Sequence, residues 1–278
     1  MSPLPRPYWH EMRSADFGHV DPESWVALLP VGAVEQHGPH LPVMVDACIN
    51  QGIVERMLAR KPETLPVTVL PMTWVGRSEE HVDFPGTLTH TAETLRRMWY
   101  EIGASVARAG VRKLLILNSH GGQIQVMQIV ARQLRIDHGM FVACLSWGQL
   151  GLPDGVIDPA ERQHGIHAGE LETALMLALR PELVAMEHAA DFVPLSKREA
   201  NRFPILMGLG AAGYGWQAQD VDESGAAGNA AAADAERGQR VIDHVAGRLV
   251  ALVDEVSRYP LANLKDGPVP QDVVTGRA

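Results

Sequence analysis

Several things are scarce in this 278-residue sequence, and each scarcity removes a class of protein. Its two cysteines, Cys48 and Cys144, lie far apart with no Cys-x-x-Cys spacing. That excludes a disulfide framework and reads as two reduced, small apolar residues in a cytoplasmic protein. No apolar run approaches the ~20 residues that span a bilayer, and Met1-Ser-Pro-Leu-Pro-Arg-Pro lacks the apolar core of a signal peptide. No membrane association is expected. Positive charge is outweighed, with 24 Lys and Arg against 33 Asp and Glu and a formal net charge of -9. Without a basic stripe, no nucleic-acid partner is expected. No GxGxxG follows a strand, which weakens a dinucleotide-dependent redox role. What remains, 46% hydrophobic and 21% charged residues, is ordinary for a globular protein with a sizeable core.

Apolar runs alternate with helical patterns along the chain. Strands are predicted over Trp25–Val31, Val67–Trp74, Lys113–Leu117 and Phe141–Ser146. Between them, helices are predicted from about Ala47 to Arg60, from a Thr89 or Thr91 cap to Gly110, and from Gly122 to about His138. A further helix begins near His167 or Ala168 and stops before Pro181. This alternation predicts an α/β protein with a mainly parallel central sheet and helices on both faces. Residues 207–233 turn rich in Gly and Ala and read as a long loop, mobile or packed on a neighbour. A last amphipathic helix covers about 234–257, and the tail beyond Tyr259 is expected to be poorly ordered. With no repeat and no linker, one domain over 1–278 is expected.

The first strand ends at Gly32 and is followed by Glu35, His37 and, after a Pro/Gly loop, Asp46. Residues two apart in an extended segment share a side, so Glu35 and His37 can face one point. Acids and an imidazole at the carboxyl end of a strand make a plausible metal site in an α/β protein. His120 follows the third strand, immediately before Gly121 and Gly122. His167 and Glu170 are three apart, which puts both side chains on one face of a helix start. Taken alone, Glu170 and Glu172 also read as first-turn acids that complement the helix dipole. The polar stretch Ser78–Thr87, with its Pro85-Gly86 turn, is either a substrate loop or a solvated connection.

Four stretches, Glu35-Gln-His-Gly-Pro-His-Leu-Pro with Asp46, Glu80-His-Val-Asp-Phe-Pro-Gly-Thr87, Asn118-Ser-His-Gly-Gly122 and His167-Ala-Gly-Glu-Leu-Glu-Thr173, together resemble the creatininase (creatinine amidohydrolase) family. The resemblance covers roughly residues 20–190. It implies a three-layer α/β/α sandwich, a homo-oligomer with a hexamer favoured, and a hydrolase of cyclic amides or formamides carrying two divalent ions. By match, Asp46 would bridge the ions, Glu35 and His120 would complete one site, and His37 and Glu170 the other. His167 would transfer protons or orient substrate, with Glu170 beside it in the catalytic set. Creatininase has a glutamate ligand two residues after the second-strand histidine, and this chain has Gly122 there. That departure argues against creatinine as substrate and passes the ligand role to Glu170.

A carboxylate-rich set with imidazoles suits Zn²⁺, Mn²⁺ or Fe²⁺. The expected reaction is attack by a metal-bridging hydroxide on an amide-type carbon of a small molecule, with His167 carrying the proton to the leaving nitrogen. Ser78, His81 and Trp147, with Trp74 beside them, are the candidate pocket residues. Two other readings stand beside this one: a hydrolase of a C–C or lactone bond in a sugar-like ring, and a non-catalytic metal-binding protein.

Overall fold

Alternating side chains of four parallel strands divide the core of this protein in two. The computed structural model describes Leu4, residues 6–206, residues 213–265 and Gly267. The strands β1 (Val26–Val31), β2 (Val67–Val69), β3 (Lys113–Asn118) and β4 (Phe141–Ser146) form one sheet in the order β2-β1-β3-β4. Pairing is parallel throughout, with Val26 opposite Val67 and Lys113, and Lys113 opposite Phe141. The helices are α1 (Val45–Arg60), α2 (Ala92–Arg108), α3 (Ile124–His138), α4 (Pro159–His164), α5 (Glu170–Leu179), α6 (Leu195–Arg198), α7 (Ala218–Val221) and α8 (Ala235–Arg258). Two short strands, β5 (Asp191–Phe192) and β6 (Gly228–Asn229), pair antiparallel.

Period-two alternation decides which layer each strand residue joins. Val26, Leu28, Leu115 and Leu117 pack with Ile49, Ile53 and Met57 of α1, Leu175 and Met176 of α5, and Val241, Val245 and Leu249 of α8. Ala27, Leu29, Val31, Leu114 and Ile116 face the other way, onto Leu95 and Trp99 of α2 and Val126, Val130 and Leu134 of α3. The result is the expected α/β/α sandwich with a parallel central sheet. Trp147, expected in the pocket wall, is buried in the first of these clusters. The chain turns at the end of β4 and carries the indole into that cluster.

Three boundaries differ from expectation for physical reasons. The second strand's regular pairing stops at Val69 because an extra residue interrupts it: Leu70 N donates to Leu28 O, but the next amide to reach β1 is Thr73 N, on Pro30 O. The fifth helix starts at Glu170, because Ala168 takes a left-handed φ of 53° that no helix accommodates. The Gly/Ala-rich stretch is not a plain loop: its described part holds α7, β6 and a 3-10 turn at Ala230–Ala232. Within it, Ala227 and His167 exchange backbone hydrogen bonds, so it packs on its own chain. Residues 207–212, and the tail at 266 and 268–278, lie outside the described residues. Among the described residues, no helix is long and apolar enough to cross a membrane.

The amino end of the sheet is tied down by a buried cation. Lys113 Nζ donates to Glu23 O at 2.5 Å and to Ser257 O, in the last turn of α8, at 2.7 Å. A positive charge suits the carbonyl end of a helix. Lys113→Met keeps the stem and removes the donor, leaving two carbonyls without it. It should lower stability by about 2 kcal/mol, seen as a fall in urea midpoint with unchanged slope.

Candidate metal centre

The carboxyl ends of β1 and β3 deliver the polar residues. After β1 the chain passes Gly32, where α1 comes so close that a β-carbon would lie 2.7 Å from Ala47 Cα. That approach sets Asp46, in the first turn of α1, beside the Glu35–His37 loop. Asn50, one turn further along, donates to Val31 O and Leu117 O and joins the ends of the two strands. After β3, Asn118 Oδ1 accepts from His120 N and Gln123 Nε2, and Asn118 Nδ2 donates to His120 O. Two amide side chains therefore fix the turn that presents His120.

Glu35 lies at the middle. Its Oε1 is 3.2 Å from His120 Nδ1, 3.4 Å from His81 Nε2 and 3.8 Å from His167 Nδ1. His120 Nδ1 is also 3.3 Å from Asp46 Oδ2. On the other side, His37 Nε2 is 3.9 Å from Asp46 Oδ1 and 3.8 Å from Glu172 Oε2. Asp46 thus stands between two groups of ligand-type atoms.

Hydrogen bonds away from the cluster set the ring tautomers. His37 Nδ1 donates to Glu35 O at 3.0 Å, which leaves Nε2 as a lone pair facing Asp46 and Glu172. His120 Nε2 donates to Arg77 O at 2.8 Å and turns Nδ1 toward Glu35 and Asp46. His167 Nε2 donates to Gln36 O at 2.7 Å, freeing Nδ1. Gln36 Nε2 donates to Gly225 O and to His81 Nδ1, so the His81 Nε2–H points at Glu35. Metal-binding histidines are oriented in this way by outer partners.

So many buried acids disturb one another. Burial alone would raise the Glu35 carboxyl, but charge on His120 and their hydrogen bond hold it well below its usual value. Burial would lower His120, yet Glu35, Asp46 and Glu80 hold it well above the usual imidazole range. Asp46 is pushed up to about 7 by burial and then by the Glu35 charge. Glu172 is also pushed up to about 7, first by burial, with Asp46 adding to the rise and His167 opposing it. His81 falls to about 4 through burial and the neighbouring His167.

These residues fit a divalent metal. Glu35 Oε2, His37 Nε2 and Asp46 Oδ2 are buried with no hydrogen-bond partner among the described residues. Orphaned lone pairs of this kind are costly unless a ligand satisfies them. Three groupings bring ligand atoms within 4.8 Å: Glu35–His37–His167, Glu35–Glu80–His120 and His37–Asp46–Glu172.

Glu35, His37, Asp46, His120, His167 and His81 come together in this arrangement, but Glu170 does not. Because α5 starts at residue 170 and not 167, the helix register turns Glu170 toward Arg237, with which it forms a short ion pair. The acid that faces the cluster is Glu172, held by Ala168 N donating to its Oε2 at 2.6 Å. Ser78 is buried beneath the 3-10 turn Glu79–His81, where its carbonyl accepts from His81 N. Two residues escaped the sequence reading. Glu80 Oε1 lies 3.3 Å from His120 Nε2, in space that a side chain at position 122 would occupy. The absence of a side chain at Gly122 is the one signal that pointed to it. Trp216, with Ile166, Val221 and Ala227, closes a small cavity over His81 and His167; nothing in its Gly-rich surroundings marked it.

A three-layer α/β/α protein with acids and imidazoles gathered at the carboxyl ends of β1 and β3 is the class that fold and site define. Within that class, the chain belongs to the creatininase family: the family profile, described as creatinine amidohydrolase, matches residues 10–253. The mycofactocin precursor peptide peptidase of Mycobacterium ulcerans is 31% identical over 79% of this chain and 81% of its own. The 3-dehydro-scyllo-inosose hydrolase of Thermotoga maritima is 27% identical over 85% of this chain and 79% of its own. A solved creatininase variant of "Zn-Zn type" is 25% identical, covers 89% of this chain and 97% of that chain, and superposes with a TM-score of 0.68.

The contact between Gly122 and Glu80 is directly testable. A β-carbon at residue 122 would collide with Glu80 Oε1 and stand 2.6 Å from His120 Nε2. Gly122→Ala should therefore cost about 1–3 kcal/mol, and Glu80→Ala in the same chain should recover part of it. Additive effects in a double-mutant cycle would show that the two positions do not compete for this space.

Proposed function

We propose that this chain is a metal-dependent hydrolase acting on an amide-type C–N bond, with two cation sites sharing Asp46. Glu35, Asp46 and His120 would hold one ion, and His37, Asp46 and Glu172 would hold the other. The orphaned, buried Glu35 Oε2, His37 Nε2 and Asp46 Oδ2 carry the reading. Zn²⁺, Mn²⁺ or Fe²⁺ bound there supplies a Lewis acid for the substrate carbonyl and lowers the pKa of water toward ~7.

The protein's own groups manage substrate and protons. His167, with Nε2 tied to Gln36 O, turns Nδ1 to the cluster side, 3.8 Å from Glu35 Oε1. That atom accepts a proton from the attacking water and returns it to the leaving nitrogen. His81 Nε2–H faces Glu35 Oε1 and keeps this carboxylate oriented. His81, His167 and Trp216 line the small cavity beside the cluster. A relative named for a peptide substrate leaves no reason to restrict the bond to non-peptide amides. The Thermotoga relative supports a second reading, hydrolysis within a sugar-like ring. Assaying amine release across cyclic amides, formamides and short peptides separates the two, since ring opening of a carbocyclic ketone releases no amine.

Two measurements test the metal reading. Elemental analysis should find two divalent ions per chain in the wild type and fewer in Glu35→Gln and Asp46→Ala. Glu172→Gln should lose one ion, whereas Glu170→Gln should keep both and lose only stability. Full metal content in both Glu35→Gln and Asp46→Ala would sink the site. The second measurement is pH. Cation uptake needs Asp46 and Glu172 deprotonated, and both sit at about 7 in the metal-free protein. Affinity should therefore fall as pH drops below that value, by about tenfold per pH unit for each proton displaced. Calorimetric titration at pH 6 and 8 reads this directly.

A further inference from the structure

Outside the cluster, one carboxylate sits where three stretches of backbone meet. Glu161, in α4, accepts at Oε1 from Glu170 N at 2.8 Å and at Oε2 from Asn229 N at 2.9 Å. The first of these amides opens α5, and the second belongs to β6. Room for the carboxylate exists because residues 165, 169 and 228 are glycine: a β-carbon on any of them would collide with Glu161 Oε1. One on Gly228 would also press on Gly169 Cα at 2.7 Å and Gly165 Cα at 3.0 Å. Two of the three stretches give the carboxylate a backbone amide, and the glycines let all three crowd around it.

Both ends of this clamp lead to the cluster. The loop entering α5 carries His167 and Ala168, and the first turn of α5 carries Glu172. On the β6 side, Ala227 and His167 exchange backbone hydrogen bonds of 3.2 and 2.7 Å. Two residues earlier, Gly225 O receives Gln36 Nε2 at 2.8 Å. Ala168 is the one non-glycine residue with positive φ among the described residues, so this loop needs outside support to keep its shape.

We infer that Glu161 is a positioning residue, which locks the His167–Glu172 segment to the 225–229 strand and so presents Glu172 and His167 to the metal cluster. The inference rests on the two-cation reading above. A carboxylate is needed because two separate N–H groups require two acceptors; a carboxamide offers one oxygen and turns an NH₂ toward the other amide.

Glu161→Gln, which keeps the volume, tests this with zinc alone as probe. Titration of the metal-free proteins should show the second equivalent, at His37, Asp46 and Glu172, weakened about tenfold or more, as for loss of outer-shell support. The first equivalent should stay within about twofold. In the wild type, zinc should slow hydrogen exchange at the amides of Glu170 and Asn229 together, and the variant should lose this coupling. A lower melting temperature with both zinc affinities unchanged would overturn the inference and leave a purely structural role. If the variant does not fold by circular dichroism, the wild-type exchange decides, and no zinc effect at those two amides overturns it. Wild-type protein that takes up no zinc defeats the two-cation reading, and this inference with it. Two equivalents bound alike by both proteins defeats this inference alone.

Discussion

Buried negative charge organises this protein. Glu35, Asp46 and the partly buried Glu172 converge at the carboxyl ends of β1 and β3, and carboxylates so placed repel unless cations or protons stand between them. In the metal-free chain the protons do that work: His120 is held charged between acids, while Asp46 and Glu172 rise to about 7. The surrounding amide side chains, Gln36, Asn50, Asn118 and Gln123, carry no charge of their own. They spend their donors on backbone carbonyls, ring nitrogens and one another, and so hold the loops while the cluster changes its counter-charge. In the proposed holoenzyme, divalent ions replace those shared protons.

The layers were legible because strand and helix periods differ. Val26 and Leu28 against Ala27 and Leu29 already sort into two faces by alternation, and both faces are apolar, as a doubly covered parallel sheet requires. Boundaries were less legible where one residue's backbone chemistry decided them. One extra residue between Leu70 and Thr73 interrupted the second strand's pairing, and the left-handed Ala168 delayed the fifth helix by a few residues.

That delay explains the misplaced acid. His167 and Glu170 share a face only if both are helical; with the helix starting at 170, the rotation per residue brings Glu172 to the cluster and sends Glu170 to Arg237. Glu35, His37 and His120 were readable because each follows closely on a strand end, where position along the chain nearly determines position in space, and Asp46 joins them because α1 packs close against Gly32. Glu80 and Trp216 sit on irregular segments, and no periodicity ties such segments to a place. Trp147 shows the reverse error: a strand-end aromatic that looked like a pocket wall is core.

The backbone pair between His167 and Ala227 has a consequence for synthesis. The strand that braces His167 emerges from the ribosome well after the histidine itself, and α8, which holds Arg237 against Glu170, emerges later still. A domain folds as a unit, and α5 and α8 supply one face of this core. The cluster of Glu35, Asp46, His120 and Glu172 therefore waits on the last helix of the chain. Maturation of the site is a late event of biogenesis, and a nascent or truncated chain is a half-built cup.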